Sequence, residues 1–234
     1  TRCFIEGKEI WAKTIAIQDI DAYSLRDFGK PCRDMMAGMM PPKLAQIMIN
    51  LAEPEKKTII YDPFCGVGTI NLEAALLINP TMGSDIKRRM TDMVQKNIYW
   101  LMQVFHFSNP EVFRFFQHDA RLPFPELTSQ KDLVIVTEGY LGPPLSFPPD
   151  ERRQEEIFQS IHEIYQPFVR NAASLLLPGK RLVITFPFFR IKKARAFFPE
   201  KYLRLYESSG FTIKTPLRSL LYERETQVVG REIL

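Results

Sequence analysis

The sequence predicts an α/β protein of Rossmann-like build: a seven-stranded, mostly parallel sheet with an antiparallel last strand and helices on both faces. Three observations predict it. From about residue 58 to residue 210, short apolar runs alternate with longer stretches of helical periodicity, the pattern of a sheet layered with helices. One run, Ile59-Ile60-Tyr61, ends in Asp62, passes through Gly66-Val67-Gly68 and opens an amphipathic segment at Thr69, which is the order of parts in a ligand-binding strand-turn-helix unit. The chain then closes on two runs without a helix between them, 211–214 and 227–233, as an antiparallel finish requires.

Composition bounds the rest. With 234 residues, 45% of them apolar, the chain is long enough for one α/β domain with a substantial core. Its 31 basic against 27 acidic residues give a net charge of +4, which permits nucleic-acid binding without requiring it. Cys3, Cys32 and Cys65 are odd in number and far apart, so neither a disulfide framework nor a zinc site follows from them. Nothing approaches 18 consecutive apolar residues and the start lacks a secretion signal, so no membrane and a cytoplasmic location are expected. Because residue 1 is Thr, a missing upstream RNA-binding domain is also an expectation.

Taken in order, residues 1–20 hold isolated apolar runs, 15–17 among them, that suit an opening strand or hairpin. The stretch 23–33 is polar and charged, with Arg26 and Arg33 either on a solvated surface or folded over a ligand or RNA phosphates. Leu44, Ile47, Met48 and Leu51 recur at helical spacing, and Pro42 suits the start of that helix. The core unit follows: a strand at 58–61, the glycine turn and a helix over 69–78. Two glycines without the third that a pyrophosphate turn uses, together with an acid at the strand end, suit a cofactor that carries a cation and no phosphate, such as S-adenosyl-L-methionine. An ordinary tight turn is the alternative.

A second strand at 81–84 ends at Asp85, 23 residues beyond Asp62, before a helix over 87–102. Asp85 is thus placed either to accept hydrogen bonds from ribose hydroxyls or to cap the helix that begins near Ile86. A third strand at 112–116 leads to His118, Asp119 and Ala120, where a carboxylate can accept from an exocyclic amine such as that of adenine. The histidines, at 106, 118 and 162, form no ligand cluster, and no metal is expected.

The run 132–137 is the clearest buried strand, and it ends in Glu138-Gly139-Tyr140-Leu141-Gly142-Pro143-Pro144. Ligands of parallel sheets sit at the carboxyl ends of the strands, so this stretch is the expected substrate site. There Glu138 would accept a proton or hydrogen bond from an amine while Tyr140 stacks on a base and Leu141 borders the site; a salt-bridged Glu138 and a packed Tyr140 are the structural alternative. A helix over 151–177 and a fifth strand at 181–186 come next. Residues 187–201 interleave four phenylalanines with basic residues, Phe188 and Arg190 among them, as either a nucleic-acid surface or a solvated face over an aromatic core. A short helix closes at Gly210.

Asp62-Pro63-Phe64-Cys65-Gly66-Val67-Gly68-Thr69-Ile70, with Glu73-Ala74-Ala75 on the next helix, resembles the cofactor motif of the Rossmann-like S-adenosylmethionine-dependent methyltransferases. Within them it is most similar to the THUMP-associated tRNA guanosine-N2 methyltransferases that modify position 10. The leader from Arg26-Asp27 through Met39-Met40-Pro41-Pro42-Lys43-Leu44-Ala45, and the closing Tyr222-Glu223-Arg224-Glu225-Thr226-Gln227-Val228-Val229, resemble the same group. The resemblance implies a leader over 1–52 packed on a methyltransferase domain over 53–234. It implies methyl transfer to a tRNA base, with adenine-N6 or cytosine-N4 of another nucleic acid, or a non-catalytic binding module, as alternatives. Some relatives need a small zinc-containing activator protein.

By this resemblance Asp62, Phe64, Gly66, Gly68 and Thr69 shape the cofactor pocket, Asp85 and Ile86 flank the ribose, and Asp119 and Ala120 the adenine. The family's catalytic Asp or Asn, two prolines and an aromatic are here replaced by Glu138-Gly139-Tyr140. The aromatic remains, the acid is one methylene longer, and both prolines are gone.

Overall fold

The computed structural model describes all residues except 1, 35–38, 78, 108–112, 125–131, 192–193, 215–219, 224–227 and 234. The ends of three expected elements, at 78, 112 and 227, lie outside the described residues.

β1 (Arg2–Ile5) and β2 (Lys8–Trp11) form a separate antiparallel hairpin. Its two-residue turn has Glu6 and Gly7 at φ of 51° and 76°, matching the right-handed twist of the strands. Residues 15–17 belong to no strand, and Ile15 and Ile17 are exposed. The polar stretch that follows contains a helix, α1 (Ile20–Phe28), capped by the Asp19 carboxylate, which accepts from the Ala22 amide at 2.9 Å. α2 (Pro42–Leu51) begins on a proline, whose missing N–H costs nothing at the first helical position.

The main sheet contains β3 (Ile59–Asp62), β4 (Thr81–Asp85), β5 (Phe113–Gln117), β6 (Leu133–Thr137), β7 (Leu182–Ile191), β8 (Ala194–Phe197), β9 (Leu220–Tyr222) and β10 (Val229–Ile233). The order is β5-β4-β3-β6-β7-β10-β9, with β8 folded back on β7 as an antiparallel partner. Pairings from β5 to β7 are parallel, and β10 runs antiparallel to both its neighbours. The expected sixth strand at 211–214 is corrected: no strand is assigned there, and β9 takes the edge place. The reason is local. Gly210, at φ 95°, ends α6 (Glu200–Ser208), and the Phe211 amide bonds back to the Tyr206 carbonyl at 3.0 Å, so it is not offered to a ladder.

Side chains alternate across the strands and are covered on both faces. Ile60, Val134 and Val136 meet Leu44, Met48 and Ile49 of α2 and Ala74 of α3 (Thr69–Leu76). Tyr61, Leu133 and Ile135 meet Ile157, Ile161 and Phe168 of α5 (Glu151–Leu175). α4 (Arg88–Val104) packs on α3 through Val94, Ile98 and Leu101. Strand order reverses at β3, which lies between β4 and β6, and such a switch point leaves a crevice at the carboxyl ends of the strands. No helix among the described residues is long and apolar enough to cross a membrane.

Candidate active site

Four adjacent strands deliver side chains to one edge of the sheet. Asp62 ends β3, Asp85 ends β4, Asp119 follows β5, and Thr137 with Glu138 ends β6. The glycine turn sits among them. Gly68 has φ 85°, and a Cβ there would lie 2.6 Å from Val94 Cγ1, so both backbone and packing require glycine. Gly66 has φ 51°, and a Cβ there would meet nothing within 4 Å, which marks open space beside the turn. The Gly66 amide donates to Asp85 Oδ2 at 3.1 Å, and the Lys87 amide donates to Oδ1 at 2.8 Å. Asp85 therefore ties the glycine turn to the residue that precedes α4.

Asp62 is 3% exposed and accepts from Thr137 Oγ1 at 2.7 Å and from the Phe64 amide at 3.1 Å. Burial pushes its carboxyl up to about 7; those two hydrogen bonds oppose the rise, and the charges of Glu138 and Asp85 add to it. Burial also raises Asp85, against the amides of Lys87 and Gly66. Asp119 is lowered, because Arg121 forks onto both its oxygens, Nη2 to Oδ2 at 2.6 Å. A buried acid short of cationic partners beside an open glycine turn fits a cofactor bearing a sulfonium and an ammonium. No group of metal-ligating residues occurs among the described residues.

The acceptor loop is fixed without prolines. Thr185 Oγ1 donates to the Glu138 carbonyl at 2.8 Å, Tyr165 Oη donates to the Tyr140 carbonyl at 3.1 Å, and the Gly139 amide donates to Thr137 Oγ1 at 3.1 Å. Gly139 has φ 71°, and a Cβ there would lie 2.2 Å from Tyr165 Oη, so the chain needs glycine to pass this hydroxyl. The Glu138 carboxylate pairs through Oε1 with Nε of Arg231, a buried residue of β10. Oε2 of Glu138 and the Gly139 carbonyl have no hydrogen-bond partner among the described residues. The structural alternative, a salt-bridged Glu138 and a packed Tyr140, is what the structure shows, with Oε2 of Glu138 left over.

The other expected site residues fall in several places. Phe64 packs edge-on to Tyr165 and Phe168, Tyr140 packs on the same cluster, and Leu141 is half-buried. Thr69 begins α3, Ile86 is exposed next to Asp85, and Ala120 is buried beside Asp119. Arg26 and Phe188 are taken up by the fold. Arg26 is buried and donates to Glu73 Oε1 at 2.7 Å, and Phe188 is fully buried under Gly230. The expectation that these two face a substrate is corrected by that burial. Arg33 lies over the Phe28 ring, and Arg190 is 3.7 Å from Glu223. Sequence reasoning missed Arg231, Thr185 and Tyr165, which no local motif marks.

A family model described as UPF0020, RMKL-like, methyltransferase domain, matches residues 31–102. Over 152 residues the chain is 30% identical to the tRNA (guanine(10)-N2)-dimethyltransferase of Methanothermobacter thermautotrophicus, covering 65% of this chain and 40% of that protein. It is 32% identical over 155 residues to the tRNA (guanine(6)-N2)-methyltransferase of Thermus thermophilus, covering 64% and 40%. The matches span two fifths of each relative's length. Among solved structures, TrmN from Thermus thermophilus superposes with a TM-score of 0.52 at 22% identity, covering 84% of this chain and 49% of that one. Magnesium protoporphyrin IX methyltransferase from Synechocystis PCC 6803 gives 0.53 at 14% identity, covering 91% and 92%. The chain has the class I S-adenosylmethionine-methyltransferase fold. It is related in sequence to the tRNA guanine-N2 methyltransferases.

Proposed function

We propose that this chain transfers a methyl group from S-adenosyl-L-methionine to an exocyclic amine of a tRNA base, namely guanosine N2. The observation that carries the reading is the pair of open acceptors, Glu138 Oε2 and the Gly139 carbonyl, on a fixed loop beside the acids at the ends of β3 and β4. An exocyclic amine has two N–H donors, and two acceptors held on adjacent residues orient it so that its nitrogen lone pair faces the donor. When bound, the cofactor supplies the electrophilic methyl group.

The protein's own tasks are then positional. Asp62 and the Gly66-Gly68 turn would hold the cationic methionine end, Asp85 the ribose and Asp119 the adenine amine. Arg231 holds one oxygen of Glu138 in place, and Tyr140 would offer its ring to the base. The choice of guanosine N2 in tRNA rests on similarity to the two curated relatives.

Calorimetry with S-adenosylmethionine, followed by labelled-methyl transfer to unmodified tRNA and nucleoside identification, tests this. Label in N2-methylguanosine is expected. Label in N6-methyladenosine or N4-methylcytidine would move the substrate, and absence of cofactor binding would remove the enzyme reading.

A further inference from the structure

β7 outruns its neighbour β6 at the edge of the sheet where the acids sit. It pairs with β6 through Leu182, Val183 and Ile184, and Ile184 faces Thr137, the last residue of that strand. Beyond this point β7 continues to Ile191, about 20 Å further at the rise of an extended strand. There it pairs with β8, from Phe188↔Phe197 to Ile191↔Ala194. Phe188 and Phe189 pair with β10 as well, so β8 must take the opposite edge of β7, the one that β6 occupies lower down. The β7–β8 hairpin is therefore an arm that rises past the strand ends and stands in line above β6, where the acceptor loop begins.

The two faces of the arm differ. Residues directly opposite in an antiparallel pair share a face, as do residues two apart on one strand, so Phe188, Phe197, Arg190 and Arg195 lie together. The other face carries Phe189, which stacks on Phe158 of α5 at 5.0 Å between ring centroids and fixes the arm to the body of the protein. On the first face Arg195 and Phe197 are exposed. Arg190 and Arg195 stand directly opposite each other, an arrangement that like-charge repulsion disfavours. Glu223, just after β9, draws them together: it accepts from Arg195 Nη2 at 2.6 Å and lies 3.7 Å from Arg190 Nε. The Arg195 guanidinium also lies 5.6 Å over the Phe188 ring, and its Nη1 has no partner among the described residues. In sequence the end of the arm reads Arg190-Ile191-Lys192-Lys193-Ala194-Arg195, four cations in six residues with no acid among them. Guanidiniums held side by side on a fixed, projecting face suit the oxygens of a phosphate chain.

We propose that this face of the β7–β8 arm, through Arg190 and Arg195, grips the phosphate backbone of the RNA that carries the target base. The inference rests on the methyltransferase reading and adds a contact far from the reacting atoms. Such contacts position a nucleic acid and make its binding depend on salt, and they leave the chemical step alone.

Anisotropy of labelled, unmodified tRNA with the full chain over a salt series, with methyl transfer measured alongside, tests the arm. The double variant Arg190→Gln, Arg195→Gln should weaken tRNA at least tenfold. Its slope of log affinity against log salt should be shallower by about 1.5, the loss of two phosphate contacts. KM for tRNA should rise while kcat and the affinity for S-adenosylmethionine stay within twofold, which also shows that the variant is folded. Glu223→Gln supplies the opposite sign: it breaks the same ion pairs but keeps the cations, so it should bind tRNA at least as tightly as wild type. If the double variant does not melt cooperatively, Arg195→Gln alone replaces it with about half the change in slope. Unchanged tRNA affinity and slope in the arginine variants, or an equal loss in Glu223→Gln, overturns the arm and leaves the methyltransferase reading in place. A wild-type chain that binds tRNA through these arginines yet transfers no methyl group overturns that reading and leaves the arm.

Discussion

Thr137 Oγ1 donates a 2.7 Å hydrogen bond to Asp62 Oδ1, joining the strand that carries the acceptor loop to the strand that carries the glycine turn. The same hydroxyl accepts the Gly139 amide, so one buried side chain couples the conformation of that loop to the charge on Asp62. Thr137→Val keeps the shape and removes both contacts. It should cost about 1–2 kcal/mol of stability, since a buried amide and a buried carboxylate each lose a partner. It should also move the ionisation of Asp62 further upward, read as a higher pH midpoint for cofactor binding in calorimetry. An unchanged midpoint would argue against the coupling.

The raised pKa of Asp62 has a sign that can be tested. Its ordinary value is 3.8 and its folded value about 7, so between these the folded chain holds a proton that the unfolded chain has released. The stabilising contribution is fully present below pH 3.8 and is lost as the pH rises through about 7. Asp62→Asn carries no charge and still offers a carbonyl to the Phe64 amide. It should melt at least about 2 °C above wild type at pH 8, with the gap closing toward pH 4. The same variant should bind S-adenosylmethionine at least tenfold more weakly at pH 8, and wild-type affinity should rise between pH 6 and 8. A variant that melts below wild type at pH 8 would show that the ionised acid is not a burden on the ligand-free fold.

Breaking the Glu138–Arg231 pair from either side should separate binding from chemistry. Glu138→Ala removes the side-chain acceptor and should abolish transfer while cofactor affinity stays within twofold. It leaves Arg231 buried without its partner, at a cost of about 3 kcal/mol, the low end for such pairs because Glu138 is still a fifth exposed. Arg231→Met should lower methyl transfer, because the Glu138 side chain loses the partner that holds it in place; Arg231→Lys should restore part of it. Thermal melts and rates of methyl transfer to tRNA check both. Turnover of Glu138→Ala at the wild-type rate would remove Glu138 from the mechanism.

The half of the candidate site built on the glycine turn was legible because its signals are local. Asp62, Gly66 and Gly68 sit on one strand-turn-helix unit, and Asp85 and Asp119 follow from counting across βα units. The acceptor half was only half legible, since Glu138 stands in its motif position while its partner Arg231 is 93 residues away. Only the register of β10 against β7, which sets Arg231 beside Pro187, brings the arginine near the loop. α1 was missed for a different reason: the residue it buries is Arg26, so no apolar stripe announces it. The stretch 211–214 misled because its strand-like composition takes no account of the Phe211 amide, which caps α6.

That buried Arg26 makes its own prediction. Arg26 is 6% exposed and Glu73 1%, and the pair fastens α1 to the helix of the glycine turn. Arg26→Met leaves Glu73 buried with only Gln46 and the more distant Lys30, and should cost about 3–5 kcal/mol. The double variant Arg26→Met, Glu73→Met should recover most of that loss, because it removes the stranded charge as well as its partner. Chemical denaturation of the three variants measures the coupling; additive losses would mean that the two charges do not depend on each other.

Gly139 and Tyr165 offer the sharpest test of the acceptor loop. A methyl group on residue 139 would meet Tyr165 Oη at 2.2 Å, and the hydroxyl cannot swing away without abandoning the Tyr140 carbonyl. Gly139→Ala should therefore lose about 2–4 kcal/mol: about 1 from a non-glycine residue at φ 71° and the remainder from overpacking. In the Tyr165→Phe background the closest clash is gone and the ring carbon Cζ remains at 3.0 Å, so the same substitution should cost less, about 1–2 kcal/mol. The cycle also has a functional reading. Tyr165→Phe alone frees the Tyr140 carbonyl and should lower methyl transfer with little effect on cofactor binding, because it loosens the loop and leaves the glycine turn untouched. Equal costs of Gly139→Ala in the two backgrounds would show that Tyr165 is not what shapes the loop at Gly139.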